Sequence, residues 1–387
     1  MLLRLPIKFK RAVFRVVGLV LVASVLLSCA GKTKQFSKPR WYDELVAAIK
    51  MDDPEVVAKI YSTNSLAVDV ALNANASTAL MVASSLGGRD VVKWLLDHGA
   101  NVKACTVLED PEKPPGVAGF TALHLASGRN RVEIAGLLLE HGADFNQVDE
   151  NGNSPFVIAC AKGHLEVIKL FLAHGANIEL LNGFGWTPLL VATHQNQTRV
   201  AEFLIAQGAN INAEYPNGRD ALMAAAELGN ESLVRLLMQK GADVNHTNVD
   251  GKTALMDAAV EGHTEVVRLL LQNGAKIDQQ SEEGWTALGK AAAHGHCETV
   301  KLLCEAGADP TPTNDFGHSA FDYARGITGT NVLTKDSDLS PLIENGSISR
   351  DDFYYVMLRL GGEGDYDCVL KVLEDQRKRA QGNSAGK

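Results

Sequence analysis

Apolar positions along the chain alternate between two patterns that repeat together. In residues 250–278, DGKTALMDAAVEGHTEVVRLLLQNGAKID, a short run of small apolar residues spans Ala254–Val260. Such a run suits a helix that lies close to its neighbours, and Thr253 before it is a side-chain N-cap candidate. Gly262 then ends that helix, because glycine takes positive φ without steric cost. Val266, Val267, Leu270 and Leu271 follow at i, i+1, i+4 and i+5 and form one apolar stripe on a second helix. Gly274 closes the second helix, and Lys276–Glu283 is polar and turn-rich. One helix pair of this kind cannot cover its own apolar face, so the pattern predicts that units stack on one another.

The unit recurs with a fixed period. Gly-Ala stands at 142, 175, 208, 241, 274 and 307, each 33 residues after the last. An earlier copy at Gly99 lies 43 residues before Gly142, one period plus a ten-residue insertion near 105–118. Seven clear units begin near 76, 119, 152, 185, 218, 251 and 284. Degenerate terminal units cover 41–70 and 315–325. The box Thr121-Ala-Leu-His-Leu-Ala recurs as Thr187-Pro-Leu-Leu-Val-Ala, Thr253-Ala-Leu-Met-Asp-Ala and Thr286-Ala-Leu-Gly-Lys-Ala. A second box, G-H-x-E-V-V-x-L-L-L-x-x-G-A, is complete at Gly262–Ala275 and nearly so at Gly163–Ala176. In period and in both boxes, residues 41–325 resemble the ankyrin-repeat family. The resemblance implies an all-α solenoid of stacked helix-turn-helix units with hairpin loops. A short helical C-terminal extension, 326–387, would follow it.

The first 28 residues read differently. Arg4, Lys8, Lys10, Arg11 and Arg15 precede a twelve-residue apolar run, Val16–Leu27, with no acid among them. That length suits the h-region of a signal peptide and is short for a spanning helix, which needs about 20 residues. The run ends in Leu26-Leu27-Ser28-Cys29, which resembles the lipobox of bacterial lipoproteins. The resemblance implies that Cys29 becomes the lipidated first mature residue, followed by a linker over 29–40. Ala30 after it resembles an outer-membrane sorting signal, which implies a bacterial cell envelope location facing the periplasm. An uncleaved anchor helix and a plain signal peptide cut elsewhere are the alternative readings.

Charge narrows the partner. The net charge is −9, and losing the five basic residues of the leader takes it to −14. A body this acidic repels phosphate backbones and anionic headgroups. The expected partner is therefore another protein, preferably basic, with no nucleic acid and with membrane contact only through the N-terminal lipid. Of the six cysteines, Cys105, Cys160, Cys297, Cys304 and Cys368 would remain beside Cys29, an odd number without paired spacing. No disulfide framework is predicted. Cys297 and Cys304, roughly 10 Å apart along one helix, are too distant to pair with each other. Cys160 reads as core and Cys105 as an exposed thiol.

Several residues invite catalytic readings. His-x-Glu occurs at His164/Glu166, His263/Glu265 and His296/Glu298, but it recurs because that box opens the second helix. His294-Gly-His296-Cys297 adds one histidine at a variable position, and His98, His141 and His174 fall in the last turn of second helices. No H-E-x-x-H, G-x-S-x-G or phosphate loop is present. Gly361-Gly-Glu-Gly364 reads as a break between helices. The expectation is a non-enzymatic protein with no cofactor, metal or small-molecule substrate. Glu344–Phe353 looks like half of an EF-hand loop, but the first and third ligand positions would be Pro341 and Ile343, which carry no carboxylate. A Ser349-capped helix through Leu360 is the preferred reading, with a second helix over 365–379 and a disordered end. An ion-binding or enzymatic role for this tail is the competing function.

The ankyrin resemblance implies that hairpin tips and first helices form the binding face. Residues after the turn glycine are Phe120, Asn153, Trp186, Arg219, Lys252, Trp285 and His318. At roughly 10 Å per unit, Trp186 and Trp285 would stand about 30 Å apart. Tip residues between them include Leu180, Leu181, Phe184, Tyr215, Pro216, His246 and Glu282. Exposed aromatics suit binding hot spots, which selects Trp186, Tyr215 and Trp285, supported by Phe184, Arg219, Lys252 and His246. Packing of these aromatics across their own hairpins is the alternative. The 105–118 insertion lies on the tip side, as a thumb over the groove or an inert loop. The resulting reading is an envelope lipoprotein whose array binds a protein, either as a scaffold or as an immunity-like inhibitor of a toxic enzyme.

Overall fold

A computed structural model describes residues 39–73, 75–106, 119–325 and 364–384. Eighteen helices and no strand are found among the described residues. They divide into two compact units, residues up to Asn177 with 182–184, and residues 178–181 with Gly185 onward. The leader with Cys29, the 107–118 part of the insertion and the EF-hand-like segment lie outside the described residues.

The first unit holds α1 (Arg40–Met51), α2 (Pro54–Thr63), α3 (Ala79–Leu86), α4 (Arg89–Asp97), α5 (Ala122–Gly128), α6 (Val132–Glu140), α7 (Pro155–Lys162) and α8 (Leu165–Ala173). Odd-numbered helices stack on odd, and even on even, with each pair closed by a link of two or three residues. The second unit repeats the scheme. Its first helices are α9 (Pro188–His194), α11 (Ala221–Glu227), α13 (Ala254–Glu261), α15 (Ala287–Ala293) and α17 (Ala320–Arg325). Its second helices are α10 (Thr198–Ala206), α12 (Glu231–Gln239), α14 (Thr264–Gln272), α16 (Cys297–Glu305) and α18 (Tyr366–Ser384).

Local chemistry explains why each first helix begins where it does. Thr78, Thr121, Ser154, Thr187, Thr253 and Thr286 accept a hydrogen bond from the amide three residues on. Asp220 stands at the same register and does so at 2.8 Å. Each cap satisfies one of the helix's orphan N–H groups. Small residues follow because neighbouring first helices lie close: Ala224, Ala225, Ala226, Ala258, Ala259, Ala291 and Ala292 are all buried.

Histidines at the start of second helices join one repeat to the preceding one. Nε2 of His164, His263 and His296 donates to the carbonyls of Gly128, Glu227 and Val260 at 3.2, 3.0 and 2.9 Å. Arg131, at the same register, reaches Leu86 O at 2.9 Å. The approach is close. A Cβ on Gly262, where φ is +72°, would lie 2.6 Å from Nδ1 of His296.

The C-terminal helix takes a place within the array. It pairs with α17 and stacks on α16, the place a second helix holds in every other repeat. Asp365 N donates to Gly295 O at 2.9 Å and Tyr366 Oη to Ala293 O at 3.0 Å. The last repeat is thus split, with residues 326–365 running between its two helices. Val369 and Leu373 are buried as expected, while Leu370 and Val372 are only partly covered. α18 also continues to Ser384, past the expected disordered end. Gln376–Gln381 are good helix formers with no breaker among them.

The cysteines supply a second correction. Cys297 and Cys368 form a disulfide with Cα atoms 5.8 Å apart. The link joins the first residue of α16 to the first turn of α18. Odd counting and irregular spacing concealed it because the partners lie 71 residues apart.

Candidate functional site

Hairpin tips are shaped by side chains that fold back on their own turn. Asp149 accepts from Asn151 N and Asn153 N, Asn248 from Asp250 N and Lys252 N, and Asn314 from Phe316 N and His318 N, at 2.8–3.1 Å. Asn182 and Ser281 act likewise on Phe184 N and Trp285 N. All five are buried. Tyr215 occupies this inward register in its own hairpin, so its ring points in. It is 8 % exposed, its Oη donates to Leu190 O at 2.8 Å, and its ring meets that of Trp186 edge-on at 4.9 Å. Burial raises its phenol pKa.

Two expected contact aromatics are therefore not on the surface. Trp285 is 3 % exposed, stacks on Tyr323 at 4.8 Å and carries Lys290 Nζ 3.8 Å over its ring. Its partner ring comes from α17, so it packs between its own repeat and the last one. Trp186 is half-buried between His194 and Tyr215, each 4.9 Å away. The turn-glycine register sends both rings against a tyrosine of the next repeat.

The polar candidates divide similarly. Arg219 is largely covered, its Nη2 lying 2.6 Å from Glu227 Oε2 and 2.9 Å from Asp257 Oδ2. Burial pushes the Asp257 carboxyl up to about 6 against the pull of Arg219. His246 Nε2 donates to Gly218 O at 2.8 Å. Lys252 Nζ stands 3.3 Å from Asp250. Phe184 is the candidate that projects outward, 56 % exposed, and it lies in the first unit.

The second unit exposes other residues in a row. Backbone bonds link successive tips, from Val249 N to Asn217 O, Glu282 N to Asp250 O and Asp315 N to Glu283 O at 2.9–3.1 Å. This ladder sets Val249 and Asp250 beside Glu282 and Glu283, and these beside Asp315 and Phe316. All six are exposed. The product is an acidic strip with an apolar residue near each end. Of these, sequence reading picked out Glu282 alone. An apolar residue standing between the turn glycine and the buried Asx position was the available signal for Val249 and Phe316.

The histidine motifs have structural duties. His98, His141 and His174 bond through Nδ1 to the carbonyl four residues earlier at 2.8–2.9 Å, ending their helices. His294 and His296 stack at 6.0 Å but direct their bonded nitrogens to different carbonyls, Lys290 O and Val260 O. Cys297 beside them is committed to its disulfide. Among the described residues no three His, Cys, Asp or Glu side chains converge as metal ligands.

The ankyrin-repeat family model, written as three copies, matches residues 45–149, 144–215, 200–281 and 222–314. The chain is a member of the ankyrin-repeat family. Curated relatives include the glycerophosphocholine phosphodiesterase GDE1 of Candida albicans, 29 % identical over 119 residues, which are 30 % of this chain and 10 % of the relative. The mouse 2-5A-dependent ribonuclease is 40 % identical over 82 residues, 21 % of this chain and 10 % of the relative. Human ankyrin repeat and SOCS box protein 6 is 39 % identical over 84 residues, 21 % of this chain and 18 % of the relative. The chain thus spans between a tenth and a fifth of the length of these relatives. Ankyrin repeats imply protein–protein interaction.

Proposed function

We propose that this ankyrin protein is exported, anchored in a bacterial envelope through lipid on Cys29, and holds a basic protein along its hairpin tips. The observation that carries the binding reading is the exposed strip of Val249, Asp250, Glu282, Glu283, Asp315 and Phe316. Two apolar residues beside four carboxylates match a partner surface that offers Lys or Arg around an apolar patch. The net charge of −9 acts in the same direction by steering cationic partners. A disulfide between Cys297 and Cys368 supports export, because such bonds persist in oxidising compartments.

Cross-linking in envelope extracts, comparing the native protein with a Glu282→Lys/Glu283→Lys/Asp315→Lys variant and a Val249→Ser/Phe316→Ser variant, tests the interface. Capture of a protein of basic isoelectric point should fall at least tenfold in both variants. Unchanged capture would refute this placement. For the anchor, mass spectrometry of the mature N-terminus should find diacylglycerol on Cys29, and Cys29→Ala should release the protein from membranes. An unmodified N-terminus elsewhere would remove the lipoprotein reading.

A further inference from the structure

The last repeat is held differently from the others. Elsewhere two or three residues, such as Gly262 and His263, connect the helices of a pair, so the second helix is delivered to its partner by the chain itself. In the last repeat the connection is 326–365. The last second helix is therefore not delivered by a short turn within its own pair. Among the described residues α18 is anchored by the buried side chains of Tyr366, Val369 and Leu373. A covalent bond at the N-terminal end of α18 restores the lost proximity. Cys297 and Cys368 supply it.

We propose that Cys297–Cys368 is a thiol–disulfide exchange site whose reactant is a dithiol, or in reverse a disulfide, and whose state decides whether α18 is docked. Cys368 is the more exposed residue of the pair, and Cys297 is 8 % exposed at the first position of α16. A thiolate of the dithiol attacks Cys368 Sγ and the Sγ–Sγ bond breaks. Its electron pair leaves on Cys297 Sγ, at a helix N-terminus where negative charge is favoured. The second thiolate of the reagent then attacks its own sulfur in the mixed disulfide and expels the Cys368 thiolate. Two electrons have passed to the protein, the reagent has become a disulfide, and solvent supplies the protons the new thiols take up. Released, α18 gives up the bonds from Asp365 N to Gly295 O and from Tyr366 Oη to Ala293 O. The face of α16 and α17 that it covered then meets water. Oxidation by a disulfide reverses each step.

Amide hydrogen exchange on the full chain, with and without dithiothreitol, reads this directly. The oxidised protein should protect Val369–Leu373, and reduction should speed exchange there at least tenfold while α9–α14 keep their rates. Oxidised dithiothreitol should restore protection. Cys297→Ser and Cys368→Ser should each match the reduced native protein and ignore the reagent. Three results would overturn the proposal: alkylation of both cysteines in the protein before any reductant is added, α18 protection that survives reduction, or reduction that accelerates exchange equally through all repeats. Because none of these readouts involves a partner or the lipid, the proposal stands or falls apart from the binding reading.

Discussion

His124 is the residue whose environment has the clearest consequence. It is 1 % exposed, its Nε2 donates to Asn153 O at 3.2 Å and its Nδ1 accepts from Thr121 N at 3.1 Å. An imidazolium has no acceptor to offer Thr121, and burial lowers the His124 pKa to about 4. A depressed folded-state value means that the neutral ring stabilises the fold above pH 6.5. That contribution disappears as pH falls towards 4. At about 1.4 kcal/mol per unit, His124→Gln should flatten the acid limb of a stability–pH profile by up to about 3 kcal/mol, measured by urea unfolding. Arg219 provides the opposite sign. Replacing it by Met leaves Glu227 and Asp257 without their cation, which should cost about 3 kcal/mol at pH 7. Asp257 already has a raised value near 6 and takes up a proton first. The deficit should therefore shrink at pH 5, and a deficit that grows on acidification would contradict the assigned geometry.

At the scale of elements, the junction between α13 and α14 carries the most specific demand. Gly262 combines positive φ with the ring of His296 at contact distance, so an alanine there meets both penalties. Gly262→Ala should lower stability by more than about 1 kcal/mol in thermal or urea unfolding. Much of this layer was legible in the sequence. The Thr and Ser caps and the glycine ends act within one period, and the recurrent G-H bonds each repeat to the preceding one in the same way, so their chemistry repeats visibly. What was not legible is the direction of Tyr215 and Trp285. Both looked like surface anchors because they sit near turns. Tyr215 in fact shares its register with Asp149, Asn182 and Asn248, whose side chains bond inward. Trp285 is covered by Tyr323 from the following first helix. Their burial depends on a neighbour a whole repeat away.

For the molecule as a whole, the acidic strip makes association sensitive to salt. Exposed charges are screened beyond about 10 Å at 0.1 M ionic strength and about 3 Å at 1 M. The association rate with the captured basic partner should fall several-fold between 0.05 and 0.5 M NaCl, with a smaller change in dissociation rate, as followed by surface plasmon resonance. An unchanged association rate would argue for apolar contacts alone. The split last repeat sets a second whole-molecule feature, since its two helices come from segments either side of 326–365 and a disulfide 71 residues in span ties α18 to α16.

Periodicity alone established the stacked helical hairpins, their caps and the family, because those rest on interactions that recur in the same form within each unit or between each unit and the next. Tertiary structure alone decides three things: which tip residues face water, which cysteines meet, and which helix completes the final repeat. Each of these joins residues from different repeats or across a long interruption. Such partners are chosen by three-dimensional proximity, and spacing along the chain carries no trace of it.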